Sequence, residues 1–398
     1  MIMKTAFKKI AEMMHHSCPD ECFAIEFWDG DTISFGETPR FTLRLKDESC
    51  VKKIIRGGYC GFGESYMAKA IEIKGDLLKL FYLGFSINFD ESRLSFLEKL
   101  RFFIISLLNG DTLRRVPKNI SHHYDLGNEF YSLFLDKTMT YSCAYFNKEE
   151  ESLKQAQLNK YDHISRKLQL KPGESLLDIG CGWGGMLIYA AQKYGINGVG
   201  ITLSKKQHEY TNQKIEVLGL EDQIKVLYKD YRQLGGKFDK VVSIGMFEHV
   251  GKKFIPIFIK KVSDLLKNKG LGLLHTIGKD TPSPGDPWTL KYIFPGGYIP
   301  CLSEIVNEMG KTGFSILDVE NLRQHYAKTL ECWTENYEQN VGMVREMFNE
   351  AFVRRWRLFL NGSIAGFRYG NTRLFQVLFS NGINNDLPPT RDHVYREL

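Results

Sequence analysis

The pattern of apolar and polar positions changes character near residue 110. Before it, amphipathic helical stretches mix with strand-like ones such as "RFTLRLK" (40–46), in which apolar and polar residues alternate. "ESRLSFLEKLRFFIISLL" (91–108) has helical spacing and predicts a helix that closes this first part. "NGDTLRRVPKNI" (109–120) then supplies the Asn-Gly and Pro breakers of a linker. From 155 to 280 the pattern becomes strand, helix, strand. "SLLDIG" (175–180), "NGVGIT" (197–202), "IKVLYKD" (224–230), "FDKVVSIGMF" (238–247) and "GLGLLHTIG" (270–278) read as strands. Between them lie "MLIYAAQKYG" (186–195), a polar helix from Ser204 and a helix over 252–267. This alternation predicts a parallel sheet covered by helices, an α/β fold of Rossmann-like type. Beyond 280 the chain is loop-rich ("TPSPGDPW", "FPGGYIP") and then helical over 330–370, which reads as a lid over the mouth of the sheet. The expected division is a smaller α+β domain at 1–108, a linker at 109–118 and a catalytic domain at 119–398.

Length supports this division, because 398 residues exceed what one core comfortably holds. A hydrophobic content of 43% with 25% charged residues excludes a disordered chain. Residues 1–110 hold fifteen basic and fifteen acidic side chains, so the net charge of +6 lies in the remainder. So small an excess names neither a membrane nor a nucleic acid as partner, and no nucleic acid is expected. The eight cysteines are irregularly spaced, and the start, "MIMKTAFKKIAEMMHH", lacks the apolar core and cleavage site of a secretory signal. Reduced thiols in a cytoplasm are therefore expected. His15, His16, Cys18 and Cys22 miss the paired spacing of a zinc site, so no metal is expected. The longest apolar runs, 77–89 and 102–108, are too short to span a bilayer.

"LLDIGCGWGG" is the first chemical signal. Its glycines let the strand turn sharply and let a ligand approach backbone beside a helix N-terminus. Asp178, two residues before Gly180, suits a cationic or hydroxyl-bearing ligand better than a pyrophosphate; the plainer alternative is a tight turn with no ligand. Thr202, Ser204 and Gln207 after the second strand, and Asp230 and Tyr231 after the third, offer polar contacts to an adenine nucleoside. Ser204 also serves as an ordinary helix cap. "TYSCAYF" (140–146) sets Cys143 among rings. It reads as a nucleophile, a ligand, or a small residue where backbone encloses something else.

Taken in order, "HHYDLGNEFYSLFLDKTMTYSCAYF" (122–146), "LLDIGCGWGG", "GMFEHVG" (245–251), "LLHTIG" (273–278), "YIFPGG" (292–297) and "AGFRYGNTRLFQVLFSNG" (365–382) resemble the cyclopropane fatty acid synthase family, which includes the mycolic acid cyclopropane synthases. The resemblance covers about 119–381, and residues 1–110 resemble the extra N-terminal domain of the phospholipid-acting members. It implies an S-adenosylmethionine-dependent methyltransferase that adds a methylene across cis double bonds of phospholipid acyl chains, through a carbocation deprotonated by bound bicarbonate. The implied bicarbonate ligands are Glu248, His275 and Tyr326 with the backbone at Cys143 and Ile277. The implied methyl-donor residues are Tyr141, Ser142, Asp178, Gly180, Gly182, Thr202, Gln207, Asp230 and Tyr231, while Tyr124 and Tyr292 would line the acyl pocket or its lid. A homodimer at the inner face of the cytoplasmic membrane is implied as well, with the N-terminal domain presenting lipid or bracing the dimer. "RRWRLFL" (354–360) and the apolar helices of 77–108 are candidates for the membrane contact, or else for core packing. Ser363 stands where some relatives carry a cysteine. The competing readings are another lipid C-methyltransferase, with a methyl-branched or methylene product, a small-amine N-methyltransferase, and a non-catalytic lipid-binding protein.

A thiolate beside a carbocation would itself be alkylated, so the chemistry argues against Cys143 as an ionised nucleophile.

Overall fold

The computed structural model describes residues 2–86 and 126–395. The helix expected over 91–108, the linker and Tyr124 lie outside the described residues. Two compact units are present, and each is discontinuous in sequence. The first comprises Met1–Gly110, Pro284–Pro295 and Trp333–Gly370; the second comprises Asp111–Ser283, Gly296–Cys332 and Asn371–Leu398. Residues 333–370, read from sequence as a lid, thus group with the N-terminal segment.

The first unit is built on four short strands, β1 (Phe23–Glu26), β2 (Thr32–Phe35), β3 (Phe41–Leu45) and β4 (Ile71–Gly75), in the order β2-β1-β3-β4. Alternation places Phe41, Leu43 and Leu45 inward, and Phe23 stacks between Phe35 and Phe41 at 4.8 and 5.5 Å. The helix Glu48–Met67 is capped by Asp47, which accepts from Cys50 N, and kinks at Gly58. Further along it, Gly63 leaves room for the fully buried indole of Trp288; a Cβ there would lie 2.4 Å from Trp288 Nε1.

The run 330–370 is helical, as its sequence predicts, in three pieces. It divides into Arg323–Gln339, Val341–Met347 and Glu350–Arg368, the last capped by Asn349. "RRWRLFL" is interior, with Trp356, Leu358 and Leu360 almost fully buried. Arg354 donates to the carbonyls of Tyr66 and Ile71 and lies 3.9 Å over the Tyr66 ring, while Arg357 forks onto Glu338. These side chains are committed to packing, the second of the two roles the sequence leaves open for this stretch. Ser363 is a half-buried residue of the same helix.

The second unit carries seven strands: β5 (Ser175–Ile179), β6 (Asn197–Thr202), β7 (Ile224–Tyr228), β8 (Phe238–Ile244), β9 (Leu266–Lys279), β10 (Phe314–Asn321) and β11 (Thr372–Asn381). Their order is β10-β11-β9-β8-β5-β6-β7. The five strands from β5 to β9 are mutually parallel, as the sequence predicts; β11 and β10 extend the sheet antiparallel beyond β9. One face packs Ile255, Phe258, Ile259 and Val262 of the helix Ile255–Leu265 with Ile305 and Met309. The other packs Ile164 and Leu168 with Leu187, Ile188 and Ala191 of the helix Gly185–Tyr194. Helices on both faces of a mainly parallel sheet make this the expected Rossmann-like α/β architecture. Strand order reverses between β5 and β8, and a crevice beyond the C-terminal ends of those strands is where such sheets bind ligands.

Candidate active site

The crevice is present. It is lined by the turn after β5, the ends of β6 and β8, the loop after β7, and residues 139–142. All nine residues assigned to the methyl donor line it: Tyr141, Ser142, Asp178, Gly180, Gly182, Thr202, Gln207, Asp230 and Tyr231. Gly180 has φ +85 and a Cβ there would sit 2.6 Å from Met246, whereas Gly182, at φ +56, faces open space. Only glycine holds both positions without strain.

Asp178 is 2% exposed, and its Oδ1 is enclosed with no hydrogen-bond partner. Burial pushes its carboxyl up to about 7, against the pull of nearby Lys160. An enclosed acceptor facing the crevice suits the ammonium or a hydroxyl of a nucleoside-type ligand. On this observation the residues present fit S-adenosylmethionine. Thr202 donates to Gln207 Oε1 at 2.9 Å, and Ser204 caps the helix Lys205–Val217 by accepting from Gln207 N. The two polar groups after β6 therefore hold each other in place. After β7, Asp230 accepts from Arg232 N and Nε at 2.9 and 2.8 Å. Burial alone would raise the Asp230 carboxyl; the Arg232 contacts outweigh it and hold the group below its usual range. Tyr231 packs edge-on against Phe258 at 5.2 Å.

Sequence reasoning missed Lys160, a fully buried lysine in the crevice wall. It donates to Ser142 Oγ and Gln157 Oε1, both at 2.9 Å, while Gln157 Nε2 donates to the Ser142 carbonyl. Burial lowers its ammonium to about 7. It was illegible because helical spacing within "LKQAQLNKYDHISRKL" makes it one polar residue among many. Trp183 was also missed; its ring lies 5.2 Å from Tyr131, which meets Tyr141 at 5.2 Å. Tyr141 and Trp183 both line the crevice and bring aromatic surface to it.

The five residues expected around bicarbonate do not line this crevice, although Cys143 adjoins Ser142 and Glu248 adjoins His249, which do. Glu248 sits in a short helical turn after β8 and accepts from Ile277 N at 2.6 Å through Oε1. Its Oε2 is enclosed and unpaired, and burial pushes the carboxyl up to about 7. The Ile277 N–H, expected to face an anion, is thus committed to Glu248. His275 of β9 is 1% exposed; Gln376 donates to its Nδ1 at 3.2 Å and its Nε2 is enclosed without a partner. Burial, with Lys160 and Lys167 behind it, depresses the imidazole well below its ordinary range, so it is neutral. An unpaired acceptor on Glu248 and an unpaired donor on His275 fit bicarbonate, which carries both an OH and acceptor oxygens.

"TYSCAYF" is fastened to the start of the helix Arg323–Gln339. Ala144 N donates to Thr329 Oγ1 and Phe146 N to His325 Nδ1, both at 3.0 Å. Cys143 is fully buried, its thiol 4.0 Å from the Leu322 carbonyl that also accepts from Tyr326 N. Tyr326 is thereby on the helical turn facing the Cys143 segment. Burial raises the thiol far above its usual range, so it is protonated. Tyr292, assigned to the acyl pocket, belongs to the first unit, where its hydroxyl donates to Glu64 at 2.9 Å.

Comparison with known proteins gives these residues their context. Residues 111–377 match the family described as mycolic acid cyclopropane synthetase, and residues 9–93 match a domain of unknown function. A Pseudomonas putida protein named "Probable fatty acid methyltransferase" is 35% identical over 94% of this chain and 96% of its own. Cyclopropane-fatty-acyl-phospholipid synthase of Escherichia coli K12 is 38% identical over 88% of this chain and 90% of its own. A crystal structure of the mycolic acid cyclopropane synthase CmaA1 with SAH and CTAB superposes with a TM-score of 0.64 at 35% identity, covering 66% of this chain and 98% of that one. The chain belongs to the mycolic acid cyclopropane synthetase family of S-adenosylmethionine-dependent methyltransferases.

Proposed function

We propose that the protein is a cyclopropane-fatty-acyl-phospholipid synthase that uses bicarbonate as the proton acceptor. The observation that carries this reading is the pair of enclosed atoms of opposite kind, Glu248 Oε2 and His275 Nε2, supported by the similarity to the Escherichia coli enzyme. S-adenosylmethionine, when bound, supplies an electrophilic methyl group to the alkene. Asp178 then accepts from the donor's polar end, and Thr202, Gln207, Asp230 and Tyr231 border its nucleoside. Tyr141 and Trp183 present ring faces that tolerate a cation on the acyl chain. Ring closure requires loss of a proton from the new methyl group. Glu248 would orient bicarbonate by accepting from its OH, while His275 donates to an oxygen from Nε2. A protonated, enclosed Cys143 leaves no thiolate to trap the cation.

The acyl chain lies in a bilayer, so contact with a membrane surface is part of the proposal, as is a homodimer at the inner face of the cytoplasmic membrane. In the same reading the catalytic domain begins near residue 119, and the N-terminal domain serves the lipid or the dimer. The second reading is transfer without ring closure; the Pseudomonas putida relative is named for methyl transfer to a fatty acid, a name that specifies no ring. One experiment separates the two. The protein is incubated with S-adenosylmethionine and vesicles of monounsaturated phospholipid, and the fatty acids are analysed. A gain of one CH2 with loss of the alkene signal supports the synthase; a gain with the olefin retained, or a saturated branched chain, rejects it.

A further inference from the structure

We infer that Gln376, Lys167 and Glu320 form a buried relay that fixes the tautomer of His275, placing its hydrogen on Nε2. Strands β9 and β11 set Gln376 directly opposite His275 in the ladder. Both residues are essentially without solvent, as is Lys167 of the helix Leu153–Leu168. Lys167 Nζ donates to Gln376 Oε1 at 2.9 Å and pairs with Glu320 Oε2 at 2.5 Å; His163 Nε2 reaches the same oxygen at 2.7 Å. Tyr145 stacks between His163 and His325, 4.1 and 4.6 Å from their rings, and roofs the far end of the chain of contacts.

The direction of each bond follows from chemistry. A lysine ammonium has three donors and no acceptor, so it takes the oxygen of the Gln376 amide. The amide nitrogen is thereby turned to His275, and as a donor it requires Nδ1 to be the bare nitrogen. The hydrogen then sits on Nε2, the atom left enclosed and unpaired. Rotating the Gln376 amide would set NH2 against the ammonium and reverse the tautomer. Glu320 is the anion against which Lys167 is held: burial alone would raise the Glu320 carboxyl, but the hydrogen bond from His163 and the charge of Lys167 prevail and lower it to about 2. A buried ion pair of this kind is costly compared with apolar packing, and an apolar core here would leave the imidazole free to take either tautomer. The inference rests on the reading of His275 as a ligand of the proton acceptor. Gln376 and Lys167 are positioning residues, since neither touches the reacting atoms.

The test uses the full chain labelled with 15N-histidine, with the His275 signal assigned from His275→Gln. Long-range proton–nitrogen correlation should show Nε2 protonated and Nδ1 bare. Gln376→Glu keeps a partner for Lys167 but offers His275 only an acceptor. It should move the hydrogen to Nδ1 and lower kcat by roughly 10- to 100-fold, as loss of an outer partner of a ligating histidine does, without raising KM for S-adenosylmethionine. A wild-type signal with Nδ1 protonated overturns the relay whether or not the variant folds. Unchanged nitrogen pattern and kcat in folded Gln376→Glu overturn it too. Normal turnover by His275→Ala would remove the proposed base site instead, and the nitrogen pattern would still decide the relay.

Discussion

Replacing Glu248 with glutamine should make the protein more stable and nearly inactive. The carboxyl is raised from 4.5 to about 7 by burial. Each pKa unit corresponds to about 1.4 kcal/mol, so keeping the group ionised in the folded chain costs up to about 3.5 kcal/mol. The residue retains some solvent access, which brings the figure to about 1–3 kcal/mol. A glutamine behaves as the protonated acid does: its oxygen still accepts from Ile277 N, and no charge is enclosed. The sign follows from the folded pKa lying above the unfolded one. Below 4.5 both states hold the proton and the variant gains nothing; the gain grows as pH rises from 4.5 to about 7 and is complete above it. Urea denaturation of both proteins across that window measures the difference. Turnover on unsaturated phospholipid vesicles should fall by roughly 10²- to 10⁴-fold, the span of a lost general acid–base function, while donor affinity holds. A variant no more stable than the parent at high pH, or one turning over at a normal rate, would refute the reasoning.

Cys143→Ser should retain most of its turnover and lose about 1–2 kcal/mol from the buried hydroxyl; complete loss of activity in a folded variant would restore the thiol as nucleophile. Asp178→Asn should weaken S-adenosylmethionine binding by roughly tenfold or more, the worth of one charge-assisted hydrogen bond, measured by calorimetry. In the parent that affinity should rise with pH through about 7, as the raised Asp178 carboxyl ionises, and the rise should vanish in the variant. Arg354→Met removes the guanidinium bonds to the Tyr66 and Ile71 carbonyls, the first of which keeps Lys69 N as a donor. It should destabilise the first unit by about 2–4 kcal/mol, read by thermal unfolding and by proteolysis within 48–75, with donor affinity unchanged.

β5 and β8 are legible from sequence because each is a short, mostly buried apolar run closed by glycine, as central strands covered on both faces are, while β7, at the sheet edge, shows itself by alternation that ends at Asp230. β10, "FSILDVEN", is a half-exposed edge whose pattern barely exceeds background, and β11 follows directly on a helical stretch that masks its start. The helical stretch expected over 330–370 is present as three helices, interrupted at Asn340 and Asn349, small local signals inside a long periodic run. At the site, the donor side is legible because glycine turns and strand ends announce themselves locally. Lys160, Lys167 and Gln376 carry no such mark. Each looks like an ordinary polar residue until the sheet brings it inside.

The seating of Trp288 on Gly63 and of Arg354 under the Tyr66 and Ile71 carbonyls has a consequence for biosynthesis. The helix Glu48–Met67 leaves the ribosome early, yet the side chains that finish its surroundings come from 284–295 and 333–370. At about 5–20 residues per second, a nascent chain waits on the order of 15–50 s between these events. During that interval the groove at Gly63 is open and the Tyr66 and Ile71 carbonyls lack their bonds from Arg354, which invites chaperone binding. A fragment cut at residue 110 would remain in that state. Residues 48–75 are made well before residues 284–370 and are completed only with them.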